Sequence, residues 1–213
     1  MTVQQALKRR RSARHFEPEG LLLPREELED MIMEACLAPS EFGVQPWRFV
    51  VVRDRERKQT LYECAFRQDM VRQASAVIIV CGDTRVDALV GPEFDRRVRE
   101  GRATAEEARE RQDLVRRTLE AGPRARFQMA IRAPSFAAMT LMLLATERGL
   151  ASAPIAGFSE DAVRRAFSIP DRYLPVLLVA LGLPSLDHPV PVRAGRLPPE
   201  AVIFHEDMFA AEP

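Results

Sequence analysis

Residues 127–149 leave few choices for how the rest of this chain can fold. Ala130, Ile131, Phe136, Ala137, Ala138, Met139, Leu141, Met142, Leu143, Leu144 and Ala145 occupy almost the whole circumference of a helix. A helix without a polar face has to be buried on every side. Gly149 stops it, and Pro134 is expected to bend it or split it into two pieces. Its methionines could line a cofactor pocket, with core packing the favoured reading. Three further apolar runs read as strands: Val50–Val52, the stretch 74–82 around Val77-Ile78-Ile79-Val80, and the stretch 175–182 around Val176–Leu181. None of the three alternates polar with apolar, so both faces of each should be covered. Ala151 to Ile155 is a shorter apolar piece.

Amphipathic or polar helical segments lie between these runs. Residues 2–10 carry Val3, Ala6 and Leu7 at helical spacing. Residues 24–37 begin with proline and two acids, which suits the positive end of a helix. Residues 54–65 read as a polar helix, and Ser159-Glu160-Asp161 opens another that runs through Phe167. Residues 83–125 are the least patterned. Within them, 105–120 is dense in Glu and Arg at spacings that allow intrahelical pairs, so an exposed helix without chemistry is expected there.

At 213 residues the chain has the length of one domain with a substantial core. Thirty-one basic and 31 acidic residues cancel, so no global field favours nucleic acid or an anionic membrane. Cys36, Cys64 and Cys81 are scattered and odd in number, which argues against a disulfide framework and a zinc site. His15, His188 and His205 have no nucleophile in a recognisable elbow, Gly-x-Ser-x-Gly and Gly-x-Gly-x-x-Gly are absent, and no metal site is expected. The start of the chain reads as polar and helical rather than as a leader, and the apolar stretches are interrupted before membrane-spanning length. A cytoplasmic protein without membrane or nucleic-acid partners is the expectation.

Two stretches call for a ligand. Arg9-Arg10-Arg11-Ser12-Ala13-Arg14 gathers guanidinium groups around a hydroxyl. Such a cluster is self-repelling unless an anion compensates, and arginine can give a phosphate two hydrogen bonds at once. In isolation the cluster also reads as a solvated basic turn. The second is Ala38-Pro39-Ser40-Glu41-Phe42-Gly43-Val44-Gln45-Pro46-Trp47, where two prolines bracket a hydroxyl, a glycine and an amide. Those small groups allow backbone to approach a flat ligand, and the same stretch also reads as a rigid loop anchored by a tryptophan.

Taken in order, Arg10-Arg11-Ser12-Ala13-Arg14, the Ala-Pro-Ser-x-x-x-x-Gln-Pro-Trp stretch, Gly149-Leu150-Ala151-Ser152-Ala153-Pro154-Ile155-Ala156-Gly157-Phe158, Gly182-Leu183-Pro184 and Arg196-Leu197-Pro198 resemble the FMN-dependent nitroreductase family. The resemblance runs from about residue 8 to about residue 203. It implies an α+β fold over residues 1–213, with a central, mostly antiparallel sheet flanked by helices. It also implies an intertwined homodimer whose long apolar helix forms the interface, with the proline-rich tail wrapping the partner. Residues 83–125 would be a variable segment covering the substrate channel.

For the site, the resemblance assigns the FMN phosphate to Arg10, Arg11, Ser12, Arg193 and Arg196. Arg14, Arg67 and Gln68 fall at polar positions near the ring, and Pro39 and Ser40 reach the flavin bound mainly by the opposite subunit. Gly43 and Gln45 of the same loop are further cofactor-binding positions, and the backbone N–H of Ala156 or Gly157 faces N5. The chain departs from the family at Gly43, Met70 and Ala156, where asparagine, lysine and glutamate are frequent. The implied activity is two-electron transfer from NAD(P)H to nitroaromatic, quinone or similar electrophilic acceptors by a ping-pong route, with no essential acid–base side chain. The cofactor carries the difficult chemistry. The alternatives are another flavin reaction on the same scaffold (enal or semialdehyde reduction, dehalogenation, flavin fragmentation) or a colourless interaction protein.

Overall fold

In the computed structural model, residues 1–17, 23–120, 122–189 and 191–207 are described. Four strands form one sheet: β1 (Trp47–Val52), β2 (Ala76–Asp83), β3 (Ala151–Ile155) and β4 (Tyr173–Gly182), in the order β1-β2-β4-β3. Every pairing is antiparallel. β2 is buried along all eight residues, as its unbroken apolar run requires. The register between β2 and β4 shifts after Val80, where Val80 faces Leu177 but Cys81 faces Pro175. That bulge lets a proline sit inside β4. Pro154 is tolerated because β3 is an edge strand of the sheet: its other side meets only an isolated bridge from Ser12 to Ser152 among the described residues.

Alternate residues of β2 serve two apolar layers. Ala76, Ile78 and Val80 pack with Leu28, Met31, Leu141 and Ala145, which come from α2 (Arg25–Ala35) and α7 (Pro123–Glu147). Val77, Ile79 and Cys81 face the other way, onto Leu61, Val71 and Val163 of α3 (Arg55–Cys64), α4 (Asp69–Gln73) and α8 (Glu160–Ala166). Burial pushes the Cys81 thiol up to about 12. A third cluster joins Val44, Phe94, Val115 and Met129, tying α5 (Asp87–Arg99) and α6 (Ala105–Glu120) to α7. The first helix, α1 (Val3–Arg9), opens with a capping box between Thr2 and Gln5.

Three expectations change. Pro134 does not split α7, which runs as one helix through it. A proline at 134 has no N–H for the carbonyl of Ala130, and that carbonyl abuts Gly82 of β2, where any Cβ would overlap it. Helix and strand therefore touch at a point that needs glycine on the strand side. Second, α5 was not expected in the unpatterned segment, because Gly91 and Pro92 sit inside it. Third, α7 is not buried all round within one chain: Phe127 is 51% and Phe136 48% exposed. By length and hydropathy the span Arg124–Glu147 would suffice to cross a membrane, contrary to the sequence reading, but half of its most apolar window is buried here. It is a sheet-covering helix with one bare face.

Asp83 closes β2 as a fully buried carboxylate. Arg172 meets it with two hydrogen bonds, from Nε at 2.7 Å and from Nη2 at 2.6 Å, and the Arg85 amide donates at 3.0 Å. This pairing holds the start of β4 to the end of β2, and it also raises the Arg172 pKa. A buried carboxylate in that position is tolerable because its acceptor sites are filled.

Candidate functional site

The N-terminal arginines are placed by the segment that follows α1. The Ala13 amide donates to the Ser152 carbonyl at 2.9 Å, and the Glu17 amide to Leu183 at 3.1 Å. Phe16 is buried under Gly182, whose Cβ, if present, would lie 3.0 Å from its ring. With Ala13 and Phe16 turned inward, Arg14 and His15 remain exposed. A cavity of about 140 Å³ opens there, lined among others by Arg10, Arg11, Arg14, His15, Ser152 and His188.

Two of the cations cap α1. Arg11 Nη1 donates to the Lys8 carbonyl at 2.6 Å, and Arg193 Nη2 donates to Leu7 at 2.8 Å and Arg10 at 2.9 Å. The negative end of the helix dipole suits them. Arg196 donates to the carbonyls of Ala194 and Gly195 and, among the described residues, to no other group. Among the described residues, no carboxylate pairs with Arg10, Arg11, Arg14, Arg193 or Arg196. Burial, then repulsion from Arg11 and Arg196, pulls the Arg10 pKa down, and the same causes act on Arg193 together with Arg10. Four guanidinium groups thus crowd together without a paired carboxylate among the described residues. Beside them the Ser152 Oγ is buried and has no hydrogen-bond partner. His15 and His188 close one side as stacked rings 3.9 Å apart, with Ser185 Oγ 3.1 Å from His188 Nδ1.

β3 leads from this cavity to Ala156 and Gly157, both exposed. Neither amide has a hydrogen bond among the described residues. Gln68 fixes this corner by donating from Nε2 to the carbonyls of Gly157 at 2.7 Å and Ala65 at 2.9 Å. Its neighbours Phe66 (φ 53°) and Arg67 (φ 57°) are left-handed. Arg67 is an exposed cation held by Glu63 at 2.9 Å, so its charge is already spoken for, whereas Arg14 keeps its own.

The Pro39–Gln45 loop stands apart from the cavity walls. Ser40 Oγ accepts the Gln45 amide at 3.1 Å, and Phe42, Gly43 and Gln45 all have positive φ. Within one chain the sequence-expected residues therefore form three groups. These are an arginine cavity, the 67–68/156–157 corner, and a loop presented elsewhere.

Against known proteins, the Nitroreductase family model matches residues 7–183. The chain belongs to the nitroreductase family. This nitroreductase is 37% identical over 203 residues to an NADH dehydrogenase of Thermus thermophilus, covering 93% of both chains. It is 30% identical over 182 residues to a CLA biosynthesis enone reductase of Lactiplantibacillus plantarum, covering 81% of each. A crystal structure described as a nitroreductase in complex with FMN, from Exiguobacterium sibiricum, superposes with a TM-score of 0.86 at 31% identity over 97% of this chain and 98% of that one. The α+β fold and the oxidoreductase class follow from the family.

Sequence reasoning missed four members of this nitroreductase's candidate site. His15, His188 and Ser152 line the cavity, and Arg97 of α5 donates to the Phe42 carbonyl from 55 residues away. The histidines carried no signal because their stacking is a product of the tail's path. Ser152 lay within a quoted motif, but its orphaned hydroxyl shows only once β3 is buried.

Proposed function

We propose that this nitroreductase binds FMN and passes two electrons from NAD(P)H to nitroaromatic, quinone or related electrophilic acceptors. The observation that carries this reading is the crowding of Arg10, Arg11 and Arg193 at the end of α1, with Arg196 near enough to repel Arg10 and Arg193. No carboxylate pairs with any of the four among the described residues. A phosphate dianion is the ligand such a cluster fits, and the orphaned Ser152 hydroxyl supplies a further polar contact. When bound, FMN supplies the two-electron chemistry. The protein supplies placement. Arg10 and Arg196 hold the phosphate, Arg11 and Arg193 add charge while fixing α1, and Arg14 stands on the same side as an unpaired cation. Gln68 keeps the Ala156–Gly157 corner in place, where both amides are without a hydrogen bond among the described residues.

A cavity of about 140 Å³ is smaller than a whole cofactor pocket, typically roughly 300–1,000 Å³. We therefore assign the remaining wall to a second copy of the chain, contributing Pro39, Ser40, Gly43 and Gln45. The half-exposed Phe127 and Phe136 on α7 support such a homodimer. A second reading, reduction of an activated carbon–carbon double bond, is favoured by the likeness to the enone reductase. It uses the same site.

Steady-state kinetics separate a shared site from two sites. With NADH varied at several fixed concentrations of a quinone, the double-reciprocal lines are expected to be parallel, since donor and acceptor occupy one place in turn. Intersecting lines, with both bound at once, would contradict this.

A further inference from the structure

Arg97 and Gly43 are a matched pair. In α5, Arg97 Nη2 donates to the Phe42 carbonyl at 2.6 Å while its Nε donates to Glu93 Oε1 at 2.8 Å. Its guanidinium lies 4.6 Å from the centre of the Phe94 ring, and Phe94 is buried in the cluster that holds Val44. The cation is thus fixed on three sides. The space it fills is where a side chain at position 43 would project: a Cβ on Gly43 would collide with Nη2. Phe42 and Gln45, at φ 54° and 49°, have side chains in a backbone region such residues rarely adopt, and Gly43 shares it at 69°. An outlier run of this kind persists only when its surroundings over-determine it.

We propose that Arg97 is a positioning residue of the flavin site, latching the Pro39–Gln45 loop to α5 in the conformation that presents Ser40 and Gln45. The inference rests on the reading that this loop contacts FMN. It changes what the 83–125 segment is. α5 becomes part of the site's framework instead of a peripheral cover, and the side chain missing at residue 43 is the condition for the latch. Glu93 holds Arg97 and also pairs with Arg96, and its Oε1 would lie 3.8 Å from a Cβ at residue 43, but among the described residues it makes no hydrogen bond to the loop.

The test measures FMN affinity by quenching of flavin fluorescence on apo-protein, then acceptor kinetics with a quinone on the reloaded enzyme. Arg97→Ala is expected to weaken FMN about tenfold, the scale of one charge-assisted hydrogen bond, and to raise the acceptor KM more than it lowers kcat. Arg97→Lys, which can still donate to one carbonyl, should recover part of the loss. Arg96→Ala, which cuts the same helix's ion pairs without touching the loop, should stay within about twofold of the unaltered chain. Gly43→Ala should weaken FMN in both backgrounds, because its φ of 69° strains any side chain. The loss should be smaller in the Arg97→Ala background, where the collision with Nη2 is gone and only the backbone strain remains. If Arg97→Ala does not fold, the Arg97→Lys and Gly43→Ala variants carry the same comparison. Unchanged FMN affinity in the Arg97 variants, or strictly additive effects of the two positions, would overturn the latch while leaving FMN binding by the unaltered chain intact. Failure of the unaltered chain to bind FMN would overturn the functional reading, and the latch with it.

Discussion

Gly82→Ala is expected to cost roughly 3 kcal/mol or more of stability, the upper part of the range for overpacking a filled core. For a chain of this size that corresponds to a melting temperature about 6–12 °C lower. The reason is geometric. The added methyl would overlap the backbone carbonyl of Ala130, and neither neighbour is a flexible side chain able to swing away. Gly82 pairs with Trp47 on one side and Leu174 on the other, so β2 can retreat only by straining both ladders. α7 in turn is held against β2, β4 and α2 by Ala138, Leu141 and Ala145. A thermal melt within about 2 °C of the unaltered protein would show that this contact is slack and that the Ala130–Gly82 account of helix docking is wrong.

The second large effect concerns ligand affinity and carries an opposite sign for the empty protein. Replacing Arg10 and Arg196 together by alanine should weaken FMN by on the order of a hundredfold or more, two charge-assisted contacts at roughly 1.5–3 kcal/mol each. Without FMN the same variant should melt at the same temperature as the parent or slightly higher. Arg10 and Arg196 repel one another and Arg193, and burial disfavours the Arg10 charge, so removing two of these charges relieves the apo-protein. Sites arranged for binding commonly carry this kind of stability cost. Calorimetric titration and melts of the same preparations provide both numbers. An unchanged FMN affinity would remove the phosphate assignment, and a large loss of apo stability would mean that these arginines are structural.

Much of this was readable from the residues. The run around Val77–Val80 is a strand buried on both faces, and the run Val176–Leu181 is a strand buried from Leu178 on. Val50–Val52 lies in a strand that leaves Val51 exposed, and Arg10, Arg11 and Arg14 line a cavity. Those signals are local: periodicity, charge density and a hydroxyl among guanidinium groups need no knowledge of the fold. What escaped was set by long-range placement. The strand order β1-β2-β4-β3 depends on non-local pairing that no single run encodes. α5 was hidden by Gly91 and Pro92, which are usually breakers but here are carried by a helix that buries Val90 and Phe94. The surroundings of α7 were over-read: an apolar circumference demands cover, but one chain leaves Phe127 and Phe136 half bare. Arg67, expected near the flavin ring, is an exposed cation paired with Glu63 one turn earlier. Arg193, expected at the phosphate, caps α1.

The central claim is that this nitroreductase recognises its cofactor through a phosphate held by unpaired arginines. Titrating apo-protein with FMN and with riboflavin, which share the ring and the ribityl chain but differ in the phosphate, tests that claim most directly. The expected result is one FMN per chain and a riboflavin affinity weaker by about a hundredfold or more. Equal affinity for the two would contradict the account, because the crowded cations of Arg10, Arg11, Arg193 and Arg196 would then contribute nothing to binding.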